Sequence, residues 1–222
     1  DHSGYVSFFR EDIPVYATAL TAFIAKAMQD SGVTDFEKEV CYFTPRRLKE
    51  GYLSAGGDYR QRPFGLVGAP NLSLDALDFW ITTPAKTKGL EVCSGPAGCD
   101  SVGGLALRNF PVSHSVMGAT AFAVETSAGW VGYTGDLRCC GVDAPSTERF
   151  VQQMAALHLR VLICEGTRAS LDSEASDGHA PVLEEAVYDR ALAAVRAGPG
   201  LVIADFGPRN VERLITFQRI AQ

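Results

Sequence analysis

Three closely spaced runs alternate apolar and other residues. "GLALRNFPV" from Gly104 alternates Leu105 with Leu107, "TAFAVET" alternates Phe122 with Val124, and "WVGYTGD" alternates Val131 with Tyr133. A period of two suits a strand and defeats a helix, so these runs predict neighbouring strands. Ser127-Ala128-Gly129 between the last two is turn material and makes them an antiparallel pair. The remaining chain then reads differently. Pro145-Ser146-Thr147 is a helix entry, "ERFVQQMAALHL" a helix, and "RVLICEG" a buried strand, apolar on both faces over Val161, Leu162, Ile163 and Cys164. "VLEEAVYDRALAAVRAG" predicts a further helix, with Leu183, Val187, Ala191 and Val195 on one stripe and Gly198 as its stop. "GLVIADFG" is expected to be another buried strand and "NVERLITFQRIA" another helix. Alternation of this kind predicts a parallel α/β unit with right-handed crossovers.

Earlier in the chain, "DIPVYAT" is a strand candidate. The stretch Thr18 to Asp30 sets Leu20, Phe23, Ile24, Ala27 and Met28 at helical spacing before Ser31-Gly32. Residues 44–100 mix Pro, Gly and basic residues with few periodic apolar positions, so mostly loop with short strands is expected.

No apolar run reaches the length of about 18 residues needed to span a bilayer as a helix. The formal net charge of -6 and pI near 5.2 give no general attraction to nucleic acid or anionic lipid, so any such contact has to be local. Cysteines at 41, 93, 99, 139, 140 and 164 lack CxxC or finger-like spacing, which favours a reduced, intracellular chain. Cys93 and Cys99 flank the loop "CSGPAGC", where a disulfide or a metal is the alternative. The chain starts at "DHSGY" without an initiator Met or a visible signal peptide and is expected to be a piece of something longer.

Reactive groups on α/β scaffolds sit where a strand end fixes the Cα and a loop frees the side chain. Four places fit: Asp1-His2, His114, Asp136 and Glu165. Together they offer nitrogen and oxygen donors suited to Zn²⁺ or Mn²⁺. The alternative is plainer: a hydrogen-bonded loop histidine and a Gly-Asp turn or helix cap. Spacing alone leaves both open.

Taken in order, "DHSGY", "PVSHSVMGA", "YTGDLR" and "LICEGTR" resemble the metallo-β-lactamase fold hydrolases. The likeness is to the branch with a β-CASP domain, which includes ribonuclease J and the pre-mRNA cleavage endonuclease. It implies an α/β fold: part of an αββα sandwich over 1–168, incomplete at its N-terminus, then the start of a parallel α/β β-CASP domain over 169–222. Asp1 and His2 match the last two positions of an H-x-H-x-D-H motif whose first two histidines would precede residue 1. His114 matches the third-motif histidine and Asp136 the bridging fourth-motif aspartate. Glu165 matches the acidic residue of the first β-CASP motif, with Gly166 a departure from the usual serine.

By that resemblance the cofactor is Zn²⁺, two ions per intact site, with Mn²⁺ as the alternative. Asp1 and His2 would serve one ion, His114 the other and Asp136 both. Asp1 would also orient or deprotonate the attacking water, and Glu165 would act as a catalytic-site carboxylate that steadies a ligand histidine. His158 and His179 match no ligand and are expected to be structural or solvent residues. The implied activity is RNA phosphodiester hydrolysis by a metal-bound hydroxide. Arg46, Arg47, Lys49, Arg60 and Arg62 are candidates to meet the strand. A small-molecule hydrolase of lactonase or thioesterase type and a non-catalytic scaffold are the alternatives. Expected partners are RNA or another phosphodiester and, as an open alternative, a second copy in a homo-oligomer. A membrane is not expected, and the expected location is the cytoplasm. Without the upstream histidines, these 222 residues alone are expected to bind metal weakly and not to turn over.

Overall fold

The computed structural model describes residues 4–32, 36–57, 59–68, 73–82, 100–167 and 183–222, which form a mixed α/β structure in two compact units, Asp1–Val102 and Gly103–Gln222. The expected domain boundary at 168 falls in 168–182, outside the described residues, as do the Cys93/Cys99 loop and His179.

In the first unit β1 (Val15–Ala17) leads directly into α1 (Ala19–Ser31). Thr18 caps the helix, its hydroxyl accepting the Thr21 amide at 3.2 Å. The expected helix is present, but its buried side differs from the expected stripe. Ala22 and Lys26 are buried, whereas Leu20 and Met28 are exposed. Lys26 can turn inward because Asp30 pairs with it and the Phe79 ring lies 4.4 Å away.

β2 (Tyr42–Phe43) stands just before the stretch read as mostly loop with short strands, which contains β3 (Arg46–Lys49), β4 (Tyr52–Ala55), β5 (Arg60–Gln61), β6 (Phe64–Leu66) and, unexpectedly, α2 (Leu74–Ile81). β1 pairs in parallel with β6, β2 antiparallel with β5, and β3 antiparallel with β4. Ser73 caps α2 through the Ala76 amide, and Trp80 from that helix fills the core beside Phe23 and Phe64. Two turns of helix show too few apolar repeats for their period to stand out.

The second unit is built on the predicted strands. After the short β7 (Ser101–Val102), which closes the first unit, β8 (Leu105–Pro111), β9 (Thr120–Thr126), β10 (Gly129–Tyr133) and β11 (Val161–Ile163) form a sheet in the order β11-β10-β9-β8. Between β10 and β11 runs α3 (Ala144–Ala155), starting one turn before and ending one turn before the predicted span. Pro145 sits in its first turn, where its missing N–H costs nothing. His158 therefore lies beyond the helix, exposed, with φ at 50°.

One sheet face buries Phe110, Val112, Ala121 and Ala123 against Phe150 and Met154 of α3. Gly132 permits this closeness: a Cβ there would stand 2.9 Å from Leu159 Cδ1 and 3.3 Å from Met154 Sδ.

Two expected buried strands are corrected. β11 pairs in parallel with β10, but it is the sheet edge and Val161, Leu162 and Ile163 remain about half exposed. "GLVIADFG" forms no strand; Leu201 is 92% and Ile203 84% exposed. A run apolar on both faces gains from being a strand only where both faces are covered. Here α4 (Glu184–Ala197) and α5 (Val211–Ala221) pack on each other instead, tied by Arg213 to Glu184 at 2.7 Å. The parallel unit is thus β10-α3-β11, earlier in the chain than "GLVIADFG".

Candidate metal site

Strand direction decides where the reactive groups gather. β8 and β10 flank β9 and are both antiparallel to it, so they run the same way; β11 is parallel to β10. Their C-terminal ends consequently share one edge of the sheet. His114 follows β8 by three residues, Asp136 follows β10 by three, and Glu165 follows β11 by two. The carboxyl ends of strands are where open α/β sheets place their ligands.

Side chains complete the convergence. His114 Nε2 lies 3.9 Å from Asp136 Oδ2, with the two side chains 19% and 31% exposed, at a half-buried rim. Two ligand atoms each about 2.1 Å from one tetrahedral Zn²⁺ stand about 3.4 Å apart, so a closure of about half an ångström would bring this pair to the span of a single cation. Val116 N–H donates to His114 Nδ1 at a long 3.4 Å. Coordination through Nε2 would put the ring proton on Nδ1 and release that contact. Burial holds the imidazole below its usual pKa; Asp136 pulls it up, and Arg138 adds to the lowering. A neutral imidazole near pH 7 is the form that ligates a metal.

Glu165 has a defined position. Its Oε1 accepts the Leu137 amide at 2.6 Å and its Oε2 accepts the Thr167 hydroxyl at 2.9 Å. Its own amide donates to Thr134 Oγ1 at 3.1 Å, while Thr134 N–H continues the ladder to Ile163 O at 3.0 Å. This carboxylate therefore fixes the backbone just after Asp136. Among the described residues no His, Cys, Asp or Glu joins the pair as a cluster of three or more. Asp1 and His2, the remaining expected ligands, lie outside the described residues.

The loops carrying the pair are locked together beneath it by groups the sequence reading did not select. Arg138 N–H donates to Ser113 O at 2.8 Å, and Ser113 N–H donates to Thr147 Oγ1 at 2.8 Å. The Thr147 hydroxyl in turn donates to Arg138 O at 2.9 Å. Ser113 and Thr147 are fully buried. The only signal for Thr147 in the sequence is a threonine in the first turn of a helix, which any helix entry can show.

The five basic residues expected to meet RNA are mostly committed elsewhere. Arg46 pairs with Glu39, Arg60 with Glu11 at 3.3 Å, and Arg62 is buried and donates to Arg10 O at 3.1 Å. Arg47 and Lys49 lie exposed on β3.

Comparison with known proteins adds the fold alone. No family model and no curated protein matches this chain. Among solved structures it is similar to a crystal structure of a protein of unknown function from Enterococcus faecalis V583, at 23% identity with a TM-score of 0.57; the match covers 99% of this chain and 41% of that one.

Proposed function

We propose that this protein is a metal-dependent hydrolase that cleaves RNA phosphodiesters, built as a metallo-β-lactamase-like sandwich with the opening of a β-CASP domain. The observation that carries the proposal is the 3.9 Å approach of His114 Nε2 to Asp136 Oδ2 at the shared edge of β8 and β10. The ordered motifs around these residues support it.

His114 supplies a neutral nitrogen donor and Asp136 an oxygen donor; Asp1 and His2 are the further donors that the motif assigns. When bound, Zn²⁺ would supply an acidified water near neutral pH and a charge to stabilise the developing oxyanion. Glu165 keeps the 136–137 backbone still, so that the Asp136 carboxylate does not have to be reordered during the reaction.

A small-molecule metallohydrolase is the second reading. The reduced basic surface favours it, since Arg46 and Arg62 are spent on partly buried contacts and the exposed Arg60 faces the carboxylate of Glu11. Incubating the full-length protein with Zn²⁺ or Mn²⁺ and end-labelled RNA, beside lactone and thioester panels, separates the two. RNA cleavage that chelation and Asp136→Ala both abolish supports the nuclease. Ester turnover with intact RNA selects the second reading, and inertness toward both in the metal-loaded protein removes the hydrolase assignment.

A further inference from the structure

We infer that α5 is part of the candidate site, and that Glu212, acting through Arg138, is a positioning residue that sets His114 against Asp136. The Arg138 guanidinium faces two ways: Nε donates to Ser113 Oγ at 3.3 Å and the terminal nitrogen pairs with Glu212. Glu212 uses its other oxygen to accept the Val142 amide at 2.8 Å. Ser113 Oγ in turn donates to Cys140 O at 2.7 Å. One carboxylate from the first turn of α5 therefore reaches both the loop after Asp136 and, through Arg138, the residue directly before His114.

Two further observations show that the latch is built rather than incidental. Gly141 has φ at +94°, and a Cβ there would overlap the Arg138 guanidinium, so the chain leaves a cradle for that side chain. Asn210, which caps α5 through the Arg213 amide at 3.1 Å, also forms an isolated bridge with Val116, two residues beyond His114. Both site loops are thus tied to the same helix end. Planarity matters as well as charge: a lysine at 138 cannot reach Ser113 and Glu212 together.

The metal readout of this inference rests on the hydrolase reading, whereas the exchange readout does not. Amide hydrogen exchange over 113–116 and 138–142, zinc affinity by chelator competition, and melting temperature are measured for wild type, Glu212→Ala, Glu212→Gln and Arg138→Lys. In Glu212→Ala and Arg138→Lys, exchange in both loops is expected to rise about tenfold or more while β9 and β10 stay protected. Zinc affinity should fall about tenfold, within the usual range for residues that orient ligands. Glu212→Gln, which still accepts hydrogen bonds, should recover most of both. Wild-type behaviour of Arg138→Lys in exchange and affinity overturns the latch. So does unchanged zinc affinity in Glu212→Ala despite loosened loops. If full-length wild type takes up no zinc, the hydrolase reading fails by itself, and loop exchange still decides whether α5 holds the two loops. Should Glu212→Ala not fold, Arg138→Lys and Glu212→Gln carry the same comparison.

Discussion

Glu165 Oε1 accepts the amide of Leu137 at 2.6 Å, so the end of β11 fixes the backbone immediately after Asp136. Removing the carboxylate leaves that amide without its charged acceptor, a loss of about 1.5–3 kcal/mol. Glu165→Ala should melt lower and lose about 10–100-fold in metal affinity or turnover. Glu165→Gln, retaining an acceptor oxygen, should fall between. Thermal melts and metal titration of the pair check this, and an unchanged Glu165→Ala counts against the positioning role.

Thr147 closes the layer beneath the site. Thr147→Val keeps the shape but strands the buried Ser113 amide, at a cost of about 1–3 kcal/mol. Thr147→Ser restores the hydroxyl and should restore stability. Chemical denaturation of both variants reads the difference.

Gly132 lets α3 lie close to the sheet. Gly132→Ala would drive a Cβ against Leu159, Leu162 and Met154, and should destabilise by about 1–3 kcal/mol as an overpacked core. No selective effect on metal binding is expected, because the glycine faces α3 and not the candidate site.

The imidazole of His114 contributes a pH dependence in the metal-free protein. Burial depresses its pKa in the folded state, so the unfolded chain binds more protons between the folded and unfolded values. Stability from this group is therefore present above its ordinary pKa near 6.5 and is lost as pH falls through that value toward the folded one. His114→Gln should flatten this part of the stability curve. An unchanged slope in denaturation measured between about pH 5 and 7 would show that the imidazole is not depressed.

How far the chain could be read beforehand follows from physical range. Period-two alternation marked β8, β9 and β10 as strands, but it pointed to the wrong face: β9 and β10 bury the small Ala121, Ala123 and Gly132 beneath α3, while Phe122, Val124 and Val131 are only partly buried and Tyr133 is exposed. β11 and the 201–207 run carry apolar residues on both faces, and only the presence of covering neighbours decides whether those faces are buried. α2 was too short to show a period. At the site, His114, Asp136 and Glu165 were nameable from their strand-end positions and motifs. The Ser113–Thr147 and Arg138–Glu212 contacts were not: they join residues 34 and 74 apart in sequence, through side chains that are common at any helix start or loop.

The central claim is that His114 and Asp136 hold one metal ion between them. Anomalous diffraction at the zinc edge from crystals soaked in Zn²⁺ tests it most directly and detects weak binding as well as tight. The account predicts a zinc peak within about 2.0–2.2 Å of both His114 Nε2 and Asp136 Oδ2, absent in Asp136→Ala. Zinc bound elsewhere with none at this pair, or density on His114 unaffected by loss of Asp136, would contradict it.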